Sequence, residues 1–477
     1  MNSQVRVRFA PSPTGDLHIG SFRTALFNYL FAKHNKGIFL VRIEDTDAKR
    51  SDKKYIQVIH DVLNWAQLKP DEPVIMQSDR ILEHKKIVQN LMVQSKAYYC
   101  YCTAEEVQSR YQKNNATTDT YIKYDGLCRN KKIQNNDNKV ERNSPVIRFA
   151  LPKEKSTVSF VDAIRGKVTV SLDQLDDFII ARSDGSPTYN FVVVVDDIEQ
   201  EITNIIRGDD HLANTPKQIL LYEALNVVPP EFAHIPLILG PQGNKISKRD
   251  AAVSVVDYQK AGYLPDAFSN YMARLGWSHG DQEIFTQSEL VQHFTLNNVG
   301  KKGSLFDQVK LDWLNGVYIR EKASDSLLSY TKQYLPDLFE KIDLLDRKKV
   351  IALLDLYKKR CNTLVSLCES VIQALSEPLQ YNKSDLELWI TPESIYSMQE
   401  FLKIVAALDS FELSLVQEVT KKWCKENNIG LKNIAQPLRI ALIGRAQSPA
   451  IFEIVSILGK KEVESRVQIL LQKVIKV

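Results

Sequence analysis

Arg8-Phe-Ala-Pro-Ser-Pro-Thr-Gly-Asp-Leu-His-Ile-Gly-Ser21 stands near the start of this chain, and the order of its residue types decides the fold. Residues 5–9 read as a first strand, which Pro11 and Pro13 end. From Gly20 to Ala32 the apolar positions Phe22, Ala25, Leu26 and Tyr29 fall at helical spacing. Residues 38–43 form a β-rich run, followed by the acidic cluster Glu44-Asp45-Thr46-Asp47 and a helical pattern over 53–68. Strand, helix, strand, helix is the order of a parallel sheet covered by helices. Ligands of such sheets bind beyond the carboxyl ends of the strands, which is where this glycine-bearing turn lies.

At 477 residues the chain has room for roughly three domains. Its 44% hydrophobic and 25% charged residues are those of a soluble globular protein. No run of eighteen apolar residues suggests a membrane span, and no secretory apolar region follows Met1, so a cytoplasmic location is expected. Lys and Arg number 62 against 58 Asp and Glu, a net of +4, too mild to diagnose nucleic-acid binding from bulk charge. Any polyanion site must be a local patch. The six cysteines in so long a chain do not suggest a disulfide scaffold.

From about Tyr98 the character changes. Residues 112–145 are rich in Asn, Lys and Thr, as a surface insertion would be, and short strands are expected over 146–150, 158–160 and 167–171. The alternation of a nucleotide fold then returns, with a strand at 178–181, a turn at Asp184-Gly-Ser-Pro187 and a strand-like segment at 189–195. Thr215-Pro216 can start a helix that runs to about Leu225. Beyond roughly Gln287 the pattern is mostly helical. Val350, Leu353, Leu354 and Tyr357 fall at i, i+3, i+4 and i+7, and Val463, Val467, Leu470 and Val474 line a last amphipathic helix.

Three constellations carry chemistry. Thr14 and His18, read on a helix start, face one ligand, while Gly15 and Gly20 let a phosphate or flat base approach the backbone. Lys245-Ile-Ser-Lys-Arg249 sets two lysines three residues apart on a polar loop behind Gly240 and Gly243, suited to stabilising charge on a triphosphate. Arg8, Tyr189 and Arg207 supply two guanidinium forks and a phenol for an anionic side chain, and Glu44 supplies the opposite charge for an ammonium group. A network of structural ion pairs would use the same residues, and spacing does not separate the two readings.

These segments resemble those of bacterial glutamyl-tRNA synthetases, a class I aminoacyl-tRNA synthetase family, and the resemblance spans essentially the whole chain. It is also carried by Arg42-Ile-Glu-Asp-Thr-Asp47, Pro187-Thr-Tyr-Asn-Phe191, Ile206-Arg-Gly-Asp-Asp-His211, Leu275-Gly-Trp-Ser-His-Gly-Asp281, Pro437-Leu-Arg-Ile-Ala441 and Gly444-Arg-Ala-Gln-Ser-Pro449. The resemblance implies an α/β fold: a Rossmann-like parallel-sheet catalytic domain with an α+β insertion, followed by all-α anticodon-binding domains. It divides the chain into a first catalytic half (1–97), an acceptor-stem-binding insertion (98–186), a second catalytic half (187–240), an ATP loop with a stem-contact region (241–320) and an anticodon-binding region (321–477).

By the same resemblance, Arg8, Tyr189 and Arg207 would hold the glutamate side-chain carboxylate, and Ser12 and Glu44 the backbone groups of the amino acid. Thr14, His18, Gly20 and Lys248 would hold ATP, with His18, Lys245 and Lys248 as the catalytic set and Mg2+ arriving with ATP as a substrate complex. The implied reaction forms glutamyl-adenylate and passes the glutamyl group to the terminal ribose of tRNA(Glu), with tRNA(Gln) as a second acceptor in some members. Productive activation is expected to need bound tRNA, and the protein is expected to be a monomer. Many relatives carry zinc on a Cys-x-Cys and a later Cys-x-His. Here Cys100, Cys102 and Cys128 match, but Asn130 replaces the histidine, so no structural metal is expected. Among rival readings, a small nucleotidyltransferase has no use for the long helical half, and a glutaminyl enzyme has no use for Arg207 facing a neutral amide.

Overall fold

The computed structural model describes residues 4–46, 51–114, 122–130, 144–244, 246 and 254–475. The chain forms two compact units, one of Met1–Asp257 with Ser269–Asp307 and the other of Tyr258–Phe268 with Gln308–Val477.

In the first unit, strands Arg6–Phe9, Ile38–Ile43 and Ile75–Met76 form a parallel sheet in that order, with Arg8 opposite Leu40. A four-stranded sheet runs Gly166–Ser171, Thr157–Asp162, Glu231–Ile235, Asn204–Gly208, and its last three strands are parallel. The two sheets meet where the Thr203 amide donates to the Arg6 carbonyl at 2.9 Å and the Arg6 amide donates to the Thr203 hydroxyl at 2.9 Å. Arg8 and Arg207 therefore sit toward the carboxyl ends of neighbouring strands, as a parallel α/β sheet requires of its ligand edge.

Helix Ile19–His34 starts on an extended His18 and is buried almost all round, at Ile19, Phe22, Ala25, Leu26, Phe27 and Leu30. It packs beside both sheets, and the buried Asn28 amide donates to the Ile206 carbonyl at 2.9 Å. A three-stranded antiparallel sheet, Ala97–Cys100, Val146–Phe149 and Ile179–Ala181, carries the insertion.

One expectation fails here. Tyr189 does not lie on a strand but on the first turn of helix Tyr189–Glu199. The run Phe191-Val-Val-Val-Val-Asp-Asp197 is buried on every side, so it carries no amphipathic period to distinguish a helix from a buried strand. Burial overrides the β preference of valine.

In the second unit, helices run from Gln308–Glu321 to Lys460–Ile475. Val350, Leu353, Leu354 and Tyr357 are buried as the spacing requires. In the last helix Val463, Val467 and Leu470 are buried with Leu471, while Val474 is only half-buried. None of the described helices is long and apolar enough to cross a membrane.

Candidate active site

The strand ends at Arg8 and Arg207, the turn after Phe9 and the first turn of helix Tyr189–Glu199 enclose a cavity of about 240 Å³. All five residues expected to hold an amino acid line it: Arg8, Ser12, Glu44, Tyr189 and Arg207. They come from distant parts of the chain, and only the parallel sheet brings them together.

Two of the five are also structural. Arg8 gives both arms of its fork to Asp197, at 3.0 and 3.2 Å. The fully buried Arg42 reaches Asp197 at 2.7 Å, Glu44 at 3.2 Å and the Gln200 side-chain amide oxygen at 2.9 Å. Burial raises the Asp197 carboxyl, but Arg8 and Arg42 outweigh it and hold it below the usual carboxylate range. Glu44 is shifted up, because burial exceeds the pull of Arg42 and Arg8. The ion-pair reading therefore holds for Arg8 and Glu44, and both also line the cavity.

Arg207 differs. Its Nη1 donates to the Gln218 amide oxygen at 2.8 Å, its Nη2 to the Thr215 hydroxyl at 2.7 Å and its Nε to His234 Nε2 at 3.1 Å. All three acceptors are neutral, and no carboxylate pairs with this buried guanidinium among the described residues. A cation so placed costs several kcal/mol of desolvation. An anionic ligand in the cavity would offset that cost. Tyr189 adds a phenol pushed up to about 12 by burial and the Glu44 charge, so its hydroxyl keeps its proton at neutral pH. That hydroxyl lies 3.0 Å from His211 Nδ1.

The residues expected to hold a nucleotide lie on the same turn. His18 caps the helix, and its Nδ1 accepts from the Gly20 amide at 3.1 Å, which places the proton of the neutral ring on Nε2. A side chain at Gly20 would sit 3.4 Å from that ring nitrogen. Thr14 does not share a helix face with His18 as expected. It lies in the bend before the helix, because Pro11 and Pro13 keep the chain extended and the helix begins only at Ile19. Lys245 and Lys248 lie outside the described residues. The chain beyond them returns against the turn: Ser254 pairs with His18 in an antiparallel bridge, and the Val255 amide donates to the Leu17 carbonyl at 3.0 Å.

In the insertion, the sulfurs of Cys100, Cys102 and Cys128 lie within 4.8 Å of one another, with Cys102 and Cys128 3.4 Å apart. The hydrogen bond between Cys100 and Cys128 lowers the Cys128 thiol to about 6 and, with burial, raises Cys100 to about 12. The trio offers three corners of a thiolate tetrahedron, and the side chain of Asn130 is not among those described.

Sequence reasoning missed Asp197, His211, Thr215, Gln218 and His234. Asp197 and His211 stand inside or beside quoted motifs, but nothing in their spacing shows which group they face. His234 reaches Arg207 through strand register, and Thr215 and Gln218 reach it from the first turn of helix Thr215–Ala224.

A parallel sheet with a polar cavity holding Arg8 and Arg207 at its strand ends, in a chain that continues into a helical unit, is the build of a class I tRNA synthetase. The chain matches the family model for class I tRNA synthetases (E and Q), catalytic domain, over residues 4–313, and the anticodon binding domain model over 326–471. It is 42% identical to a glutamate--tRNA ligase of Thermodesulfovibrio yellowstonii over 97% of this chain and 98% of that one. With a glutamate--tRNA ligase of Geotalea uraniireducens the identity is 41%, over 98% of each. A solved glutamate tRNA ligase from Elizabethkingia meningosepticum, in complex with its amino acid, superposes with a TM-score of 0.87 at 31% identity, covering 98% of this chain and 99% of that one. The chain belongs to the glutamate--tRNA ligase family of class I tRNA synthetases.

Proposed function

We propose that this protein activates L-glutamate with ATP to glutamyl-adenylate and transfers the glutamyl group to the terminal ribose of tRNA(Glu). The observation that carries the reading is Arg207, a buried guanidinium without a carboxylate partner among the described residues, facing a cavity of amino-acid size. Arg8, Arg207 and Tyr189 hold the side-chain carboxylate, and Ser12 and Glu44 the backbone groups. The α-carboxylate oxygen attacks the α-phosphorus, and pyrophosphate leaves. Thr14, His18 and Gly20 seat the nucleotide, with His18 offering its Nε2–H. Lys245 and Lys248 stabilise the charge that develops on the departing phosphates, and Mg2+ enters with ATP.

The insertion at 98–186 meets the acceptor end, and the helical region meets the anticodon. There Arg360 donates to the Ser448 carbonyl and Arg439 to the Ser448 hydroxyl, so two cations share one neutral anchor, an arrangement suited to a polyanion. The enzyme acts as a cytoplasmic monomer.

An aminoacylation assay with ATP, both amino acids and both purified tRNAs tests the proposal. Charging of tRNA(Glu) with glutamate is expected, and a preference for free glutamine overturns it. The same assay on tRNA(Gln) decides the second acceptor. Lys248→Ala is expected to slow charging by about 10²-fold or more, since cationic stabilisation of a transition state is worth that much. A near-normal rate would remove the lysine from the mechanism. The three thiols without an imidazole are proposed to hold no structural zinc. Metal analysis after dialysis against a chelator checks this, and one retained equivalent per chain contradicts it.

A further inference from the structure

We infer that Asp162 and His234, which do not line the cavity, form a tautomer lock that fixes the pose of Arg207 and thereby the site's selection of a carboxylate. The inference rests on the reading of the cavity as the glutamate pocket.

His234 and Arg207 are register partners on adjacent parallel strands, so the imidazole lies beside the guanidinium by sheet geometry. Arginine has five N–H donors and no acceptor. Three of the five are spent inward, on His234, Gln218 and Thr215. Two remain, the number that one carboxylate accepts from a fork.

His234 Nε2 accepts from Arg207 only while it carries no proton. On the other side of the ring, Nδ1 stands 2.6 Å from Asp162 Oδ2, and a carboxylate there requires an N–H. Both neighbours therefore demand the same neutral tautomer. Asp162 cannot turn away, because its Oδ1 also accepts from the amides of Ile164 at 2.9 Å and Arg165 at 2.8 Å. Asp162, His234, Thr215 and Gln218 are all buried, so water does not replace any of these bonds.

Protonation of His234 would set an Nε2–H against the Arg207 Nε–H and put two cations in contact. The charged and titratable groups facing the ring are Asp162, Arg207, Asp209 and His211. Asp162 and Asp209 favour the imidazolium, while Arg207 and His211 oppose it. Burial opposes it most of all, and the ring is held below the usual histidine range. His234 is thus a positioning residue whose titration in acid releases the fork.

The test is the KM for L-glutamate and for ATP, with kcat, in tRNA charging from about pH 5.5 to 8. His234→Gln places an amide oxygen where Nε2 accepted and does not titrate. It is expected to keep glutamate KM within about fivefold and to flatten the rise in glutamate KM that the wild type shows in acid. His234→Leu is expected to raise glutamate KM about tenfold or more, the loss of a hydrogen bond to a charged group, with ATP KM within about twofold. In the unaltered protein, nitrogen-15 spectra of the ring are expected to show the Nδ1–H tautomer at neutral pH, a readout that survives if the leucine variant does not fold. An Nε2–H tautomer, an unchanged glutamate KM in His234→Leu, or an equal rise in both KM values overturns the lock. Failure of the wild type to charge glutamate would sink the pocket reading itself. Normal wild-type charging with insensitive His234 variants sinks only the lock.

Discussion

At the scale of single residues, Arg207 and Arg8 show how one residue type divides its labour. Arg8 is neutralised by Asp197 and presents a fixed shape, whereas Arg207 is seated on neutral acceptors, with no carboxylate partner among the described residues, and is proposed to meet the ligand's charge. Arg207→Gln is therefore expected to raise the KM for glutamate by roughly 100-fold, the scale of a charge-assisted bond in a buried site, and to narrow the preference for glutamate over glutamine. Steady-state charging with each amino acid measures it, and an unchanged ratio would deny Arg207 its role in selectivity.

At the scale of elements, the site depends on how closely the first two strands approach. Gly37 precedes strand Ile38–Ile43, and an added Cβ there would fall 2.3 Å from the Val5 carbonyl oxygen, which accepts from the Ile38 amide at 2.8 Å. Backbone cannot step aside as a side chain can. Gly37→Ala is expected to cost about 1–3 kcal/mol, the range for overpacking, read as a lower denaturant midpoint at constant m-value. A midpoint equal to the wild type's would refute the contact. The elements also show where sequence reading stops: residues 38–43 and helix Thr215–Ala224 were legible from β-branched runs and a first-turn proline. Helix Tyr189–Glu199 was not, because a segment buried on all sides has no polar face to mark its period.

At the scale of the whole molecule, buried ionisable groups tie stability to pH. His234 and His211 titrate below the usual 6.5, first because burial disfavours their charge. The unfolded chain then binds more protons in that window, so stability falls as pH drops below about 6.5. Burial raises Asp162, Asp196 and Asp197, but their hydrogen bonds and cationic neighbours hold them below 3.8 in balance, so their contribution is present above that value and lost in stronger acid. Glu44, shifted up, offsets a part. Calorimetry at about pH 7.5, 5.5 and 3 should show Tm declining at each step, and a Tm that rises toward pH 5.5 would contradict the balance.

The order of residue types along the chain determined the parallel α/β build, because periodicity and turn chemistry are local properties, while resemblance to glutamyl-tRNA synthetase motifs marked Arg8, Ser12, His18, Glu44, Tyr189 and Arg207. Which groups face one another was decided only in three dimensions. Strand register sets His234 beside Arg207, and a helix where a strand was expected brings Asp197 onto Arg8 and Arg42. Partners of that kind are joined by sheet geometry across long stretches of chain, and a buried charge must find them there because no water remains to solvate it.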